Sequence, residues 1–489
     1  MQQQPGLLRV LGPWMATAVV IGTVIGSGVF KKARNVADNV PEFGLATGAW
    51  VLVGLLALLG ALAIAEVAVL FPRAGGNYVF LKEAYGRMAG FLWGWVEFWI
   101  IRSASIAALA TMFTESFHDV LKQALHPGQT VEVLGFWPRQ LMTAVVIAVL
   151  AVVNARGTKL AGALQVVITT VKVGSLLFIA TLPFAVWAAI GEPQHPPTVE
   201  HLKPTWPSDW ALVKWGAFGS AMVGILWAYH GWMNIGMMAG EVKDPQRNIP
   251  LALLVGIGAL ILLYCSANTA YYLVIPRDEI AAVSKDTTVA TEFCLRLLGP
   301  IGVLIASAII MMSVFGALNG NLLAGPRLLY AMGQDGLAPR KLAALHPRWN
   351  TPAFATAVLT VWSCLMVLGV GAMTQYRLPV IPLGVADLDL NLPPGKSPFD
   401  VVTDFAMFGA TTFETLAVAS VFVFRWKYPS AERPYRCFGY PVLPAIYVLM
   451  MSAVVANMFV TPEQQSEAMI GLGFIGIGAL VYLLVMRKV

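Results

Sequence analysis

Charge is scarce in this chain of 489 residues: Asp, Glu, Lys and Arg together make up 12%, against 58% hydrophobic residues, and the mean hydropathy is +0.71. That balance excludes an ordinary soluble domain and points to a polytopic membrane protein. Cysteine is also rare, with four residues, of which Cys265 and Cys364 fall in apolar spans and Cys437 and Cys294 fall on opposite sides of the predicted bilayer, so no structural disulfide is expected. The six histidines are scattered. No His-Glu-x-x-His, paired Cys-x-x-Cys or Gly-x-x-x-x-Gly-Lys-Ser/Thr segment occurs, which argues against a metal centre, a resident cofactor and ATP as the energy source. No compact basic face with interleaved aromatics lies outside the spans, so the net charge of +6 gives no case for nucleic acid.

Apolar stretches recur at the length a bilayer requires, about 20 residues per helix. Twelve are predicted, near 12–34, 44–70, 88–113, 139–155, 160–189, 213–240, 250–275, 299–326, 352–371, 400–426, 441–461 and 467–486. The start, Met1-Gln2-Gln3-Gln4-Pro5, lacks a basic cluster leading into a short apolar core, so the first span reads as retained rather than cleaved. With both termini in the cytoplasm, 18 of the 32 Lys and Arg residues fall on the inner side, 12 on the outer, and Arg102 and Lys172 within spans. The positive-inside bias therefore favours that orientation, moderately.

Two spans are interrupted. The first carries Gly22-Thr23-Val24-Ile25-Gly26-Ser27-Gly28 and the sixth carries Trp227-Ala228-Tyr229-His230-Gly231-Trp232 where a membrane helix should be continuous. Backbone polar groups are tolerated unpaired at that depth only where they are buried in protein or line a wet cavity. Taken alone, Gly26-Ser27-Gly28 reads equally well as a small-residue packing surface. The matching break in span six shifts the balance, because paired discontinuous helices in corresponding positions mark the substrate site of a secondary transporter. The restarting helix after Gly28 offers free N–H groups and a positive dipole end to an anion, and the carbonyls ending the preceding half-helix around Thr23, Val24 and Ile25 offer themselves to a cation. An α-amino acid carries both charges a short distance apart.

Several segments resemble the amino acid-polyamine-organocation superfamily, and within it the L-type amino acid transporters. They are Ile25-Gly26-Ser27-Gly28-Val29-Phe30, Ala65-Glu66, Phe71-Pro72-Arg73-Ala74-Gly75-Gly76-Asn77-Tyr78 and Trp227-Ala228-Tyr229-His230-Gly231-Trp232. Further matches are Glu241-Val242-Lys243-Asp244-Pro245-Gln246-Arg247-Asn248-Ile249-Pro250, Phe315-Gly316-Ala317-Leu318-Asn319-Gly320, Arg327-Leu328-Leu329-Tyr330-Ala331-Met332-Gly333-Gln334-Asp335-Gly336 and Arg433-Pro434-Tyr435-Arg436. They run in family order over nearly the whole chain. The resemblance implies an all-α membrane protein of twelve helices with a LeuT-like five-plus-five inverted repeat. Its halves would be 1–190 and 191–426, with peripheral helices in 427–489. It implies amino acid transport by alternating access and no enzyme activity.

Carried over by position, the backbone at Ser27 and Gly28 would hold the α-carboxylate. Carbonyls near Val24 and Trp227, with that of His230 as a further candidate, would hold the α-amino group, and Trp227 stands where the family has an aromatic gate. Ser105 and Leu109 of span three, Ala228, Tyr229 and His230 of span six, and Val314, Ala317 and Asn321 of span eight would complete the pocket. None of these except His230 is an acid or base, so small or medium neutral amino acids are expected, with a polyamine as the less favoured substrate. His230 has three readings open: donor to a polar substrate, pH sensor, or partner of the unwound backbone.

Lys172 lies about 12 residues into span five, too deep at ~1.5 Å per residue to snorkel easily, and a charge at that depth is a functional feature by default. In related sodium-independent transporters a lysine of this span takes the place of a sodium ion. Lys172, with Ser313 of span eight, is expected to tether the broken first helix in that way. Exchange and proton-coupled symport both remain compatible with it. Glu66, Glu97, Arg102 and Glu414 are expected in structural pairs near span ends. Ser103 replaces a proline common in relatives, which predicts a straighter span three. Animal relatives bond a heavy-chain glycoprotein through a cysteine in the loop after span three; Thr114 to Pro138 contains none, so no covalent heavy chain is expected and a microbial inner-membrane carrier is the simpler reading.

Overall fold

The computed structural model describes residues 7–126, 132–191, 196–284, 287–376, 381–382, 387–388 and 398–486; Met1–Pro5 and the basic pair Arg487 and Lys488 lie outside the described residues. Apolar length turns into helix throughout. The first expected span is two helices, α1 (Pro13–Val24) and α2 (Gly28–Asn39), bent by 41° at Ile25-Gly26-Ser27. Then follow α3 (Phe43–Leu70), the short α4 (Asn77–Tyr85), α5 (Arg87–Val96), α6 (Ser103–Leu125), α7 (Phe136–Ala155) and α8 (Thr158–Ile190). The sixth span is α9 (Trp215–Tyr229), which stops at His230 and resumes as the four-residue α10 (Asn234–Met237). Beyond it come α11 (Pro245–Val274), α12 (Arg277–Ala282), α13 (Val289–Leu298), α14 (Pro300–Gln334), α15 (Ala353–Gln375), α16 (Pro398–Lys427), α17 (Val442–Val460) and α18 (Pro462–Val481). A two-residue antiparallel ladder, Ile381–Pro382 with Asp387–Leu388, lies between α15 and α16.

Ten helices are long and apolar enough to cross a membrane among the described residues, eleven if the bent α1–α2 pair is one span. The expected count was twelve. The shortfall is the sixth span, because α9 has only 15 residues before its break. Span three runs on from Arg87 to Leu125, with a π-helical turn at Glu97–Arg102 joining α5 to α6 and Ser103 Oγ donating back to Phe98 O. Such turns insert an extra residue into the helical ladder and often sit at functional positions.

The interior is built from α1, α2, α3, α6, α8, α9, α11 and α14, with α16 against α3, α9 and α6, and α17 and α18 packed outside it. Exposure follows this layering. On α7, Leu141, Val145, Val149 and Val152 recur at helical spacing and are all exposed, as expected for a face turned to lipid. Near the expected cytoplasmic side, Glu66 of α3 accepts from Arg425 (2.7 and 3.0 Å), Arg433 Nε (3.1 Å) and the Cys437 backbone N–H (2.6 Å), so both carboxylate oxygens are satisfied. That cluster ties α3 to the segment after α16, a structural pair of the kind anticipated.

All four cysteines are free thiols. Burial pushes the Cys294 thiol up to about 12, and burial reinforced by the Glu66 carboxylate pushes Cys437 up to about 12. Since the thiolate is the reactive form, neither should label with maleimide at pH 7 in the folded protein, whereas both should label in detergent denaturant. Mass spectrometry of labelled peptides checks this.

Candidate substrate site

The two helix breaks meet backbone to backbone. A Cβ on Gly28 would lie 2.4 Å from Ala228 Cα, so only glycine allows α2 to start against the end of α9. Gly231 has φ +107°, in the region that L side chains rarely adopt, and this turns the chain out of α9 beside Thr23. Tyr264 of α11 fastens the meeting point: its hydroxyl lies 3.1 Å from Val24 O and 3.0 Å from Ala228 O, one proton shared between the carbonyls of both breaks. Trp50 and Tyr229 pack edge-on around the Tyr264 ring, with centroids 5.7 and 5.0 Å away.

Each carbonyl of the first break can be traced. Ile21 O accepts from Ile25 N, Gly22 O and Ile25 O accept from Lys172, Val24 O accepts from Tyr264, and Gly26 O accepts from Ser313. Among the described residues no donor reaches Thr23 O, and no backbone carbonyl accepts from the N–H groups of Gly26, Ser27, Gly28 or Val29. In the second break Trp227 O accepts from His230 N, and among the described residues His230 O has no donor. Free N–H groups at the start of α2 thus face free carbonyls at the ends of α1 and α9. An anion is favoured at one end and a cation at the other.

A cavity of about 20 Å³ lies between them, lined by Thr23, Val24, Gly26, Ser27, Gly28, Ser105, Leu109, Trp227, His230, Gly231 and Asn321. By this measure roughly 10–15 Å³ holds one water, so the cavity as it stands is smaller than an amino acid. Ten of its residues coincide with sequence expectation, and Gly231 is added. Five expected residues lie just behind the wall. Ile25 presents its carbonyl to Lys172 and Ser313, Ala228 packs against Gly28, and Tyr229 sits in the aromatic cluster. Ala317 lies 3.5 Å from where a Gly26 Cβ would be, and Val314 is fully buried. The Trp227 indole donates to Ser27 Oγ (3.1 Å), closing one wall.

Lys172 is buried, with Nζ 2.6 Å from both Gly22 O and Ile25 O. Ser313 Oγ lies 3.3 Å from Ile25 O and from Gly26 O. Gly316 makes room for the lysine, since a Cβ there would fall 2.7 Å from Cε and 3.0 Å from Nζ. The Lys172 Nζ therefore sits between two carbonyls at the end of α1 and does not line the cavity.

Beneath the cavity stands a second buried constellation. Arg102 pairs with Glu97, and it donates to Asn321 Oδ1 (2.5 Å) and Asn234 Oδ1 (2.8 Å), joining span three to α14 and to the far half of the broken sixth span. Arg327 Nε holds Glu241 Oε2 at 2.7 Å, and Thr158 Oγ1 donates to Glu241 Oε1 at 2.5 Å. Glu241 O in turn receives Val10 N and Leu11 N at 2.9 Å each. Arg102→Met leaves the buried Glu97 carboxylate uncompensated, so destabilisation of about 3–5 kcal/mol is expected, read as a lowered midpoint in detergent thermal melts. Glu414, anticipated as a structural acid near a span end, instead stands beside the cavity, with Oε1 3.3 Å from His230 Nε2.

Known proteins that this chain resembles in sequence are amino acid transporters. The serine/threonine exchanger SteT of Bacillus subtilis is 29% identical over 478 residues, covering 96% of each chain. The human cystine/glutamate transporter is 28% identical over 437 residues, covering 89% of this chain and 77% of its own. The human large neutral amino acids transporter small subunit 2 is 26% identical over 478 residues, covering 98% and 80%. The amino acid permease family profile matches residues 11–481. The chain belongs to the amino acid permease family and is an L-type-like member of the amino acid-polyamine-organocation superfamily, a multi-pass membrane transporter of amino acids rather than an enzyme.

Proposed function

We propose that this protein is a sodium-independent exchanger of small or medium neutral L-amino acids that works by alternating access. The observation that carries the reading is the Lys172 ammonium, held by Gly22 O and Ile25 O where a bound monovalent cation would otherwise brace the first break. The α-carboxylate would take the N–H groups at Ser27 and Gly28, and the α-ammonium would take the carbonyls of Thr23 and His230 rather than those of Val24 and Trp227 expected from the sequence, which already accept from Tyr264 and His230 N. Among the described residues the cavity wall holds no carboxylate, which supports neutral side chains. The name of the Bacillus subtilis relative, a serine/threonine exchanger, fits both the mode and the size class. The halves 1–190 and 191–426 as inverted repeats, both termini in the cytoplasm, residence in the inner membrane and operation without a covalent heavy chain belong to the same proposal.

One observation favours proton symport as a second reading. Thr158, Gln165, Thr169 and Lys172 are buried on one face of α8, a polar file running from the ammonium to the Glu241 cluster. Efflux from preloaded liposomes separates the two. An exchanger releases labelled amino acid only when unlabelled amino acid is present outside; appreciable uptake into empty liposomes under a pH gradient would overturn exchange in favour of symport.

A further inference from the structure

Among the described residues Glu414 has no lysine or arginine partner. Its carboxylate stands 3.3 Å from His230 Nε2, with the two side chains only 10% and 11% exposed, and Tyr447 of α17 is also near it. A carboxylate at that distance draws the imidazole proton to Nε2. Among the described residues no hydrogen-bond partner reaches the remaining nitrogen, Nδ1, and the ring lines the cavity. The ring plane is fixed from a second direction. Trp227 lies parallel to it, 6° between planes and 6.3 Å between centroids, and is itself held by its bond to Ser27.

We propose that His230 Nδ1, positioned by Glu414, reads the substrate side chain and selects α-amino acids bearing a short hydroxyl-containing one. This rests on the zwitterion site proposed above. Nδ1 presents a lone pair when the ring is neutral and an N–H when it is cationic. A hydroxyl both donates and accepts, so it satisfies Nδ1 in either state, whereas a methyl group in the same place satisfies neither. Closing the site over a methyl strands a polar nitrogen without water, and such sites discriminate strongly against the analogue that lacks the bond. Leu109 and Trp227, on the cavity wall, keep the accepted chain short.

The test is inhibition of labelled amino acid exchange in sodium-free liposomes by two near-isosteric pairs, L-serine against L-alanine and L-threonine against L-valine. The hydroxyl member of each pair should be at least about tenfold more potent. His230→Phe, which keeps the stack on Trp227, and Glu414→Leu, which frees the imidazole, should each bring the ratio below about threefold through loss of serine and threonine potency. A wild-type ratio near one overturns the proposal without reference to any variant, and a high ratio retained in both variants also overturns it. A wild-type protein that exchanges no amino acid overturns the zwitterion site itself, which distinguishes the two failures.

Discussion

Lys172→Ala should abolish measurable exchange. The substitution strips the donor from Gly22 O and Ile25 O, both at 2.6 Å from Nζ, and no water-filled route to them is evident at a side chain 1% exposed. Gly22 O is left with no donor, at a cost of about 1–3 kcal/mol, and Ile25 O keeps only the longer contact from Ser313 Oγ at 3.3 Å, which together amount to ~100-fold in the population of the assembled break. Lys172→Met separates charge from volume, because it fills the same channel beside Gly316 without donating. It should lose as much exchange as alanine does. Counterflow in liposomes, normalised to reconstituted protein, checks both variants; a methionine variant retaining most of the activity would show that packing, not the ammonium, holds α1.

Gly28→Ala should be almost as damaging for a different physical reason. The new methyl would lie 2.4 Å from Ala228 Cα and 3.0 Å from its backbone nitrogen, and neither can move as a flexible side chain would. Overpacking against backbone sits at the upper end of the usual range, about 3 kcal/mol, which again corresponds to ~100-fold. The strain falls between the start of α2 and the end of α9, where the two breaks meet, so substrate affinity should fall before the protein unfolds. Binding monitored by thermal-shift titration with amino acids separates these: a variant with a near-native midpoint but no ligand-dependent shift is the expected result.

These two positions were also the most legible in the sequence. Glycine and serine inside an apolar run, and one lysine deep in another, violate local rules so sharply that their roles can be argued without coordinates. Violations of that kind are where function is expected to sit. What could not be read was who answers them across the fold. Tyr264 is an aromatic in an aromatic-tolerant apolar span, and its bonds reach 240 and 36 residues along the chain to Val24 and Ala228. Nothing in its neighbours distinguishes it from a core tyrosine.

Glu414 was visible as a buried acid, but its partner was not. Helical periodicity places it on a face of α16 and leaves open which helix that face meets; the meeting with His230 decides whether it is a brace or part of the site. The reverse holds for Tyr229, Val314 and Ala317. Their spacing puts them near the breaks, yet rotation of each helix by a fraction of a turn moves them behind the cavity wall. A count of spans by helix length comes out lower than a count by hydropathy for a related reason, since hydropathy runs on through Trp227–Met238 while the backbone of α9 stops at Tyr229. Apolar composition reports burial, and a broken helix is as buried as an intact one.

Counterflow at equal pH on both sides of the liposome membrane, with choline replacing sodium, tests the central claim most directly. The account predicts that labelled neutral amino acid accumulates only when unlabelled amino acid is loaded inside, at a rate unchanged when sodium is restored. Uptake that requires sodium would contradict it, because a cation would then be needed where Lys172 already stands.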